Sequence, residues 1–156
     1  MKKHSITINP DLRLAELWRK ADEQDTYDMD RQTYFQECAD AGLEIKQPLP
    51  NQLFLDFDSD KQYENFLILS KVLERNLAES VDVKVYPSKS GLPHRHAIVS
   101  LPWRLSGEWE RLAWQAALGS DPVRELLSCV RNLNGEEWPT IFAEPKGDSD
   151  VQTPGS

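Results

Sequence analysis

The sequence predicts an α+β domain whose elements run β-α-β-β-α-β between Gln52 and Ala143. Three observations predict it. Gln52 to Asp58 and Val81 to Tyr86 alternate large apolar with polar residues, as half-buried strands do. Between them Tyr63, Phe66, Leu67, Leu69, Val72, Leu73 and Leu77 recur at helical spacing. After a glycine-containing turn, Pro87 to Pro93, the stretch from His94 to Leu101 alternates again and closes an antiparallel hairpin. In this ferredoxin-like, or RRM-like, arrangement the first and third strands lie side by side and antiparallel at the centre of one sheet. Both helices cover a single face.

Taken in order, residues 1–50 read as a helical extension with a proline-rich linker, residues 51–145 as the main domain, and residues 146–156 as a disordered polar tail. Residues 1–9 form an extended arm. Asn9-Pro10 starts a helix, the asparagine as cap and the proline at the first helical position, with Leu12, Leu14, Leu17 and Trp18 as its apolar stripe. A second helix starts near Asp28 or Asp30, carries Tyr34, Phe35, Cys38 and Ala41, and stops at Gly42. Gln47-Pro-Leu-Pro50 is a linker, because proline and the residue before it resist helix. Ser59 with Gln62 forms a capping box for the helix after the first strand. Later helices run from Gly107 to Leu118, stopped by Gly119, and from Asp121-Pro122 through Val123, Leu126, Leu127 and Val130. Asn134-Gly135 is a turn, and Thr140 to Ala143 the last strand.

The chain of 156 residues has a net charge of −8, which argues against a general nucleic-acid coat protein, since such proteins bind by neutralising phosphates. It leaves room for an enzyme that holds nucleic acid through metal ions. The charge is uneven: residues 51–100 carry 6 basic and 7 acidic groups, against 7 and 10 before them and 5 and 9 after. Cys38 and Cys129 match no zinc spacing and read as two buried free thiols. No apolar run reaches the roughly 20 residues of a membrane span, and no signal peptide follows the Met-Lys-Lys start. A soluble cytoplasmic protein with no membrane partner is the expectation.

Strand residues two apart share a face. If Leu53, Leu55, Phe57, Val81, Val83, Val85, Ala97, Val99 and Leu101 turn toward the helices, the opposite, open face receives Phe54, Asp56, Asp58, Lys84, Tyr86, His94, His96 and Ile98. Two carboxylates and two imidazoles then converge. Paired carboxylates hold Mg²⁺ or Mn²⁺, and an imidazole ligates a metal or donates to a phosphate. Arg95 points the other way. Ser88-Lys89-Ser90-Gly91 is either a plain hairpin loop or one whose backbone amides, with Lys89, cradle a triphosphate. Bland readings stand beside these: Asp-x-Asp closes a strand and favours the next helix N-terminus, and Asp60 is a first-turn helix acid. Asp121 reads as an N-cap rather than a ligand. Trp109 and Trp114 read as core or rim.

Asp56-Phe-Asp58 at a strand end, followed by Ser90-Gly-Leu-Pro-His94-Arg-His96 at the start of a later strand, resembles the catalytic signature of the archaeo-eukaryotic primase (primase-polymerase) superfamily. The resemblance covers Asn51 to Leu101, about a third of the chain, and implies an RRM-like palm. It implies that Asp56 and Asp58 ligate two divalent cations, Mg²⁺ or Mn²⁺, and act catalytically with His96. It also implies that Ser88, Lys89, Ser90, His94 and His96 bind the incoming nucleoside triphosphate. The reaction implied is attack of a 3′-hydroxyl on an α-phosphate, with nucleic acid as partner and DNA favoured over RNA. The family's second loop glycine is replaced by the Pro93-His94 neighbourhood, and among later acids only Asp121 and Glu144 are available as a third carboxylate. A reduced relative from a phage or mobile element fits these departures.

Two further readings compete. His94-Arg-His96 with an acid from the first strand resembles the metal site of the HUH endonucleases, but the segment 107–133 holds no tyrosine nucleophile and Tyr63 lies on the other helix. A non-catalytic RRM-like binding module would stack bases on Phe54 and Tyr86, and the N-terminal helices offer a surface for a protein partner.

Overall fold

A computed structural model describes residues 31–146. The expected arm and first helix, and the tail beyond residue 146, lie outside the described residues. The described elements are α1 (Arg31–Asp40), β1 (Leu43–Lys46), β2 (Gln52–Phe57), α2 (Asp60–Asn76), β3 (Asp82–Pro87), β4 (Arg95–Ser100), α3 (Glu108–Ala117), α4 (Pro122–Leu133) and β5 (Phe142–Pro145).

The core of the expectation is present. β2, β4 and β3 form a three-stranded sheet in that order, with β4 antiparallel to both neighbours. Leu53, Leu55, Phe57, Ala97, Val99 and Leu101 are buried on one face, where Phe66 of α2 meets them together with Leu105 and Leu118. Alternation placed these residues, and burying them is the main gain that holds the sheet to α2. Ser59 caps α2 by accepting the Gln62 amide at 3.2 Å. The Gln62 side chain reaches back to accept the Asp58 N–H at 2.6 Å, so the capping pair also fixes the end of β2.

The fourth strand departs from the ferredoxin-like order. β5 starts two residues later than expected and pairs with β1, not with β2, in a separate two-stranded antiparallel ribbon. The molecule is therefore an α+β fold with two small antiparallel sheets. The physical reason lies on the free edge of β2. Even-numbered residues of β2 point their backbone groups away from β4, and four side chains and one backbone amide satisfy them where a strand would have docked. Gln115 accepts the Phe54 N–H at 2.9 Å, Ser120 accepts the Asp56 N–H at 3.0 Å, and the Asp121 N–H donates to the Asp56 carbonyl at 2.6 Å. Arg111 donates to the Gln52 carbonyl at 2.9 Å, and Arg124 donates to that of Phe54. An edge whose donors and acceptors are already matched offers no ladder to another strand.

This capping inverts α4. Glu125 and Ser128 face inward, whereas Leu126 is 55% exposed and Val130 and Leu133 are also exposed. The expected core stripe survives only at Val123. Glu125 is buried because it accepts from Gln115 at 2.9 Å and from the Ser120 hydroxyl at 2.9 Å. Asp121 is the N-cap, accepting the Arg124 amide at 3.2 Å, with Pro122 behind it. Cys38 is buried, Cys129 is half-buried, and both thiols are free. Trp109 is exposed, and Trp114 packs at the rim of the core. No helix among the described residues is long and apolar enough to cross a membrane.

Candidate functional site

Asp56 and His96 are register partners across β2 and β4, and Tyr86 of β3 is the partner of His96 on its other side. One step beyond the last β2–β4 pair, His94 Nδ1 lies 2.8 Å from an Asp58 carboxylate oxygen. The two acids and two imidazoles that alternation assigns to one face are thus matched pairwise across the strands. His96 Nε2 is 3.6 Å from Asp56 Oδ1, too long for a hydrogen bond and close enough for strong electrostatic contact. Arg95 points to the other face, as expected, where it pairs with Asp60 at 2.7 Å and lies over the Tyr63 ring.

The face that carries these groups is not open, which corrects the expectation. Phe142 of β5 stacks on Phe54 at 4.4 Å and on His96 at 3.9 Å, its ring nearly parallel to each. Phe54 is only 2% exposed. The ribbon lies on the face because β5 cannot join the β2 edge and buries its aromatic residue here instead. A base-stacking platform on Phe54 is therefore ruled out while Phe142 is in place. Tyr86 is also committed: its hydroxyl donates to Glu144 of β5. Burial first, then the Glu144 carboxylate, push its pKa far above the ordinary value of 10, so the hydroxyl stays protonated.

Glu144, only a weak candidate ligand by its sequence position, organises the far side of His96. Its carboxylate pairs with Lys46 of β1 at 3.0 Å, accepts from Tyr86, and lies 3.8 Å from His96 Nδ1. Burial alone would push its pKa up, but the imidazole, the Tyr86 hydroxyl and the Lys46 ammonium outweigh that and hold it down at about 2. Asp56 is held the other way. Burial raises its pKa most, and Asp121 and Asp58 add to the rise against the opposing charges of Arg124 and His96. Asp121, read from sequence first as a cap and second as a candidate third carboxylate, is thus part of the acidic surroundings of Asp56.

Beside His96 lies a cleft of about 280 Å³, lined by Tyr86 to Lys89, His96, Glu144 and Pro145. Of the nucleotide-binding set read from the sequence, it gathers Ser88, Lys89 and His96. Ser90 and His94 do not line it. The loop does not offer a ring of backbone amides to a phosphate, because those of Ser88, Ser90 and Gly91 are taken up within the hairpin. They donate to the His94 carbonyl at 3.0 Å, the Ser88 hydroxyl at 3.2 Å and the Ser88 carbonyl at 2.8 Å respectively. The Lys89 side chain is the loop's cationic contribution.

The donor set suits a divalent cation at the Asp56 end. Like charges from Asp58 and Asp121 oppose the ionised Asp56 carboxylate, and a cation would relieve that opposition. Among the described residues no three His, Cys, Asp or Glu side chains gather tightly enough to form a metal cage by themselves. A cation at Asp56 would draw its remaining ligands from substrate phosphates and water, as Mg²⁺ commonly does. No family model matches the chain, and neither a curated protein nor a solved structure matches it.

Proposed function

We propose that the chain is a divalent-metal-dependent nucleotidyltransferase of the primase-polymerase kind, or a reduced relative that retains nucleotide binding. The observation that carries this reading is the register of β2 and β4. It sets Asp56 opposite His96 and Asp58 beside His94, next to a cleft that also holds Ser88 and Lys89. Asp56 and Asp58 would hold the cations, Mg²⁺ or Mn²⁺. When bound, such cations supply the positive charge that stabilises the attacking and leaving oxygens of an in-line displacement at phosphorus. Lys89 contributes a mobile charge toward the phosphates, and His96 a donor fixed in direction by ring stacking. Ligand pockets typically span about 300–1,000 Å³, so a cleft of about 280 Å³ suits part of a nucleotide, with the remainder lying toward the carboxylates. Nucleic acid, DNA in preference to RNA, would present the attacking hydroxyl.

The test is equilibrium binding of dATP to the full chain with and without Mn²⁺, followed by primer extension under the binding conditions. The reading expects dATP binding that requires Mn²⁺ and weakens in Lys89→Ala, with nucleotide added to a primer. A reduced relative would bind and not extend. Failure to bind dATP at millimolar concentration in the presence of Mn²⁺ would overturn the reading.

A further inference from the structure

The two edges of the β2-β4-β3 sheet are finished differently. The β2 edge is closed by side chains from α3, α4 and the turn between them. The β3 edge has no such cover. Ser88 donates its N–H to the His94 carbonyl at 3.0 Å, so even-numbered residues of β3 turn their backbone groups toward β4. Odd-numbered residues turn theirs outward. Among the described residues, no group bonds to the amide or carbonyl of Val83 or Val85. Val85 shares the core face with Val81 and Val83, yet it is 36% exposed.

A free edge of this kind accepts another strand. Which strand it accepts is decided by Asp82 and Lys84, the charged residues that alternate with the valines. A second copy of β3, running antiparallel about a two-fold axis, can bond only with odd-numbered residues opposite odd-numbered ones. Centred on Val83, the register sets Val83 against its own copy and Val81 against Val85. It also sets each Asp82 against Lys84 of the other copy, at the non-hydrogen-bonded positions where side chains approach most closely. Centred on Asp82 or on Lys84, the register makes like charges meet at the axis. Centred on Val85, it puts Pro87 opposite Val83, and proline has no N–H to give. One register satisfies both the backbone and the charges.

We propose that the chain forms a two-fold dimer through β3 in the register centred on Val83, joining two three-stranded sheets into one. Val81 of the second copy then covers the exposed Val85. The axis stands perpendicular to the joined sheet, so the faces that carry His96 in the two copies lie on the same side. The dimer is independent of the nucleotidyltransferase reading, because it uses none of the cation- or nucleotide-binding residues.

The test is sedimentation equilibrium of the full chain over a range of concentrations, for wild type, Lys84→Asp, the exchanged pair Asp82→Lys/Lys84→Asp, and Val83→Pro. Wild type should dimerise reversibly. Lys84→Asp sets like charges opposite each other at both pairs and should weaken the dimer by about 10-fold or more. The exchanged pair should restore it. Val83→Pro removes an N–H that has no bond within the sheet, so it should abolish the dimer and keep the circular dichroism spectrum of the folded chain. If Val83→Pro does not fold, the charge exchange decides the matter alone. A wild type that stays monomeric at millimolar concentration would overturn the inference. So would a dimer equally tight in Lys84→Asp, which would place the interface elsewhere, as on the exposed Leu126 and Val130 of α4.

Discussion

The two carboxylates beside His96 are held in opposite ways. Glu144 carries its charge with support from Lys46, Tyr86 and His96, and its pKa falls to about 2 despite burial. Asp56 carries its charge against burial and against two neighbouring aspartates, and its pKa rises even with Arg124 nearby. Glu144 therefore joins the two sheets: its ionised form links β1, β3 and β5. The ionised form of Asp56 is a burden on the fold, and a burden of this kind is expected where a group serves binding or catalysis rather than stability.

The largest effect should come from removing the support on the Asp56 side. Gln115→Ala leaves the Phe54 N–H unpaired and takes a donor from Glu125 and Thr140, all in a buried network. Each buried group left unpaired costs about 1–3 kcal/mol, so denaturant unfolding should show a loss of about 2–4 kcal/mol. If Gln115→Ala is neutral, the β2 edge is not held by this network. Glu144→Gln comes next, with a loss of about 1–3 kcal/mol at pH 7 as the Lys46 pair and the charged acceptor for Tyr86 disappear. Because the folded pKa of Glu144 lies below its ordinary value of 4.5, its contribution is present above that value and is lost as pH falls from about 4.5 to about 2. The wild-type advantage over Glu144→Gln should shrink across that window.

Asp56→Asn should act in the opposite direction and raise the thermal midpoint at pH 7. The folded pKa of Asp56 lies above its unfolded value of 3.8, so the protonated form is favoured in the folded state, and the destabilisation appears as pH rises through the folded value. The gain should therefore fade as the solution is acidified. A lower midpoint in Asp56→Asn would make Asp56 a structural acid like Glu144. The smallest effect is expected outside both regions: Leu126→Gln, on the exposed face of α4, should change stability by no more than about 0.5 kcal/mol.

What the sequence discloses and what it hides divide along the same line. Alternation in β2 and β4 was enough to put Asp56, Asp58, His94 and His96 on one face and to bury Leu53, Leu55, Ala97 and Val99, because a period of two is a local property. β1 was not legible: Leu-Glu-Ile-Lys is four residues long, and its partner lies about a hundred residues away. The same distance concealed where β5 would pair. Gln115, Ser120 and Arg124 look like solvated helix and turn residues, and only their contacts with the β2 edge reveal that they replace a strand. That replacement moved β5 onto the expected open face, covered Phe54 with Phe142, and brought Glu144 to His96. A polar side chain that satisfies a distant backbone leaves no periodic trace in the sequence.

The proposed function stands on Asp56 and Asp58 forming a divalent-cation site on the face shared with His96. Calorimetric titration of Mn²⁺ into wild type beside Asp56→Ala/Asp58→Ala tests it most directly. Wild type should bind Mn²⁺ saturably, and the double variant should lose that binding while retaining the wild-type circular dichroism spectrum. Equal binding in a folded double variant, or no binding in either protein, would contradict it.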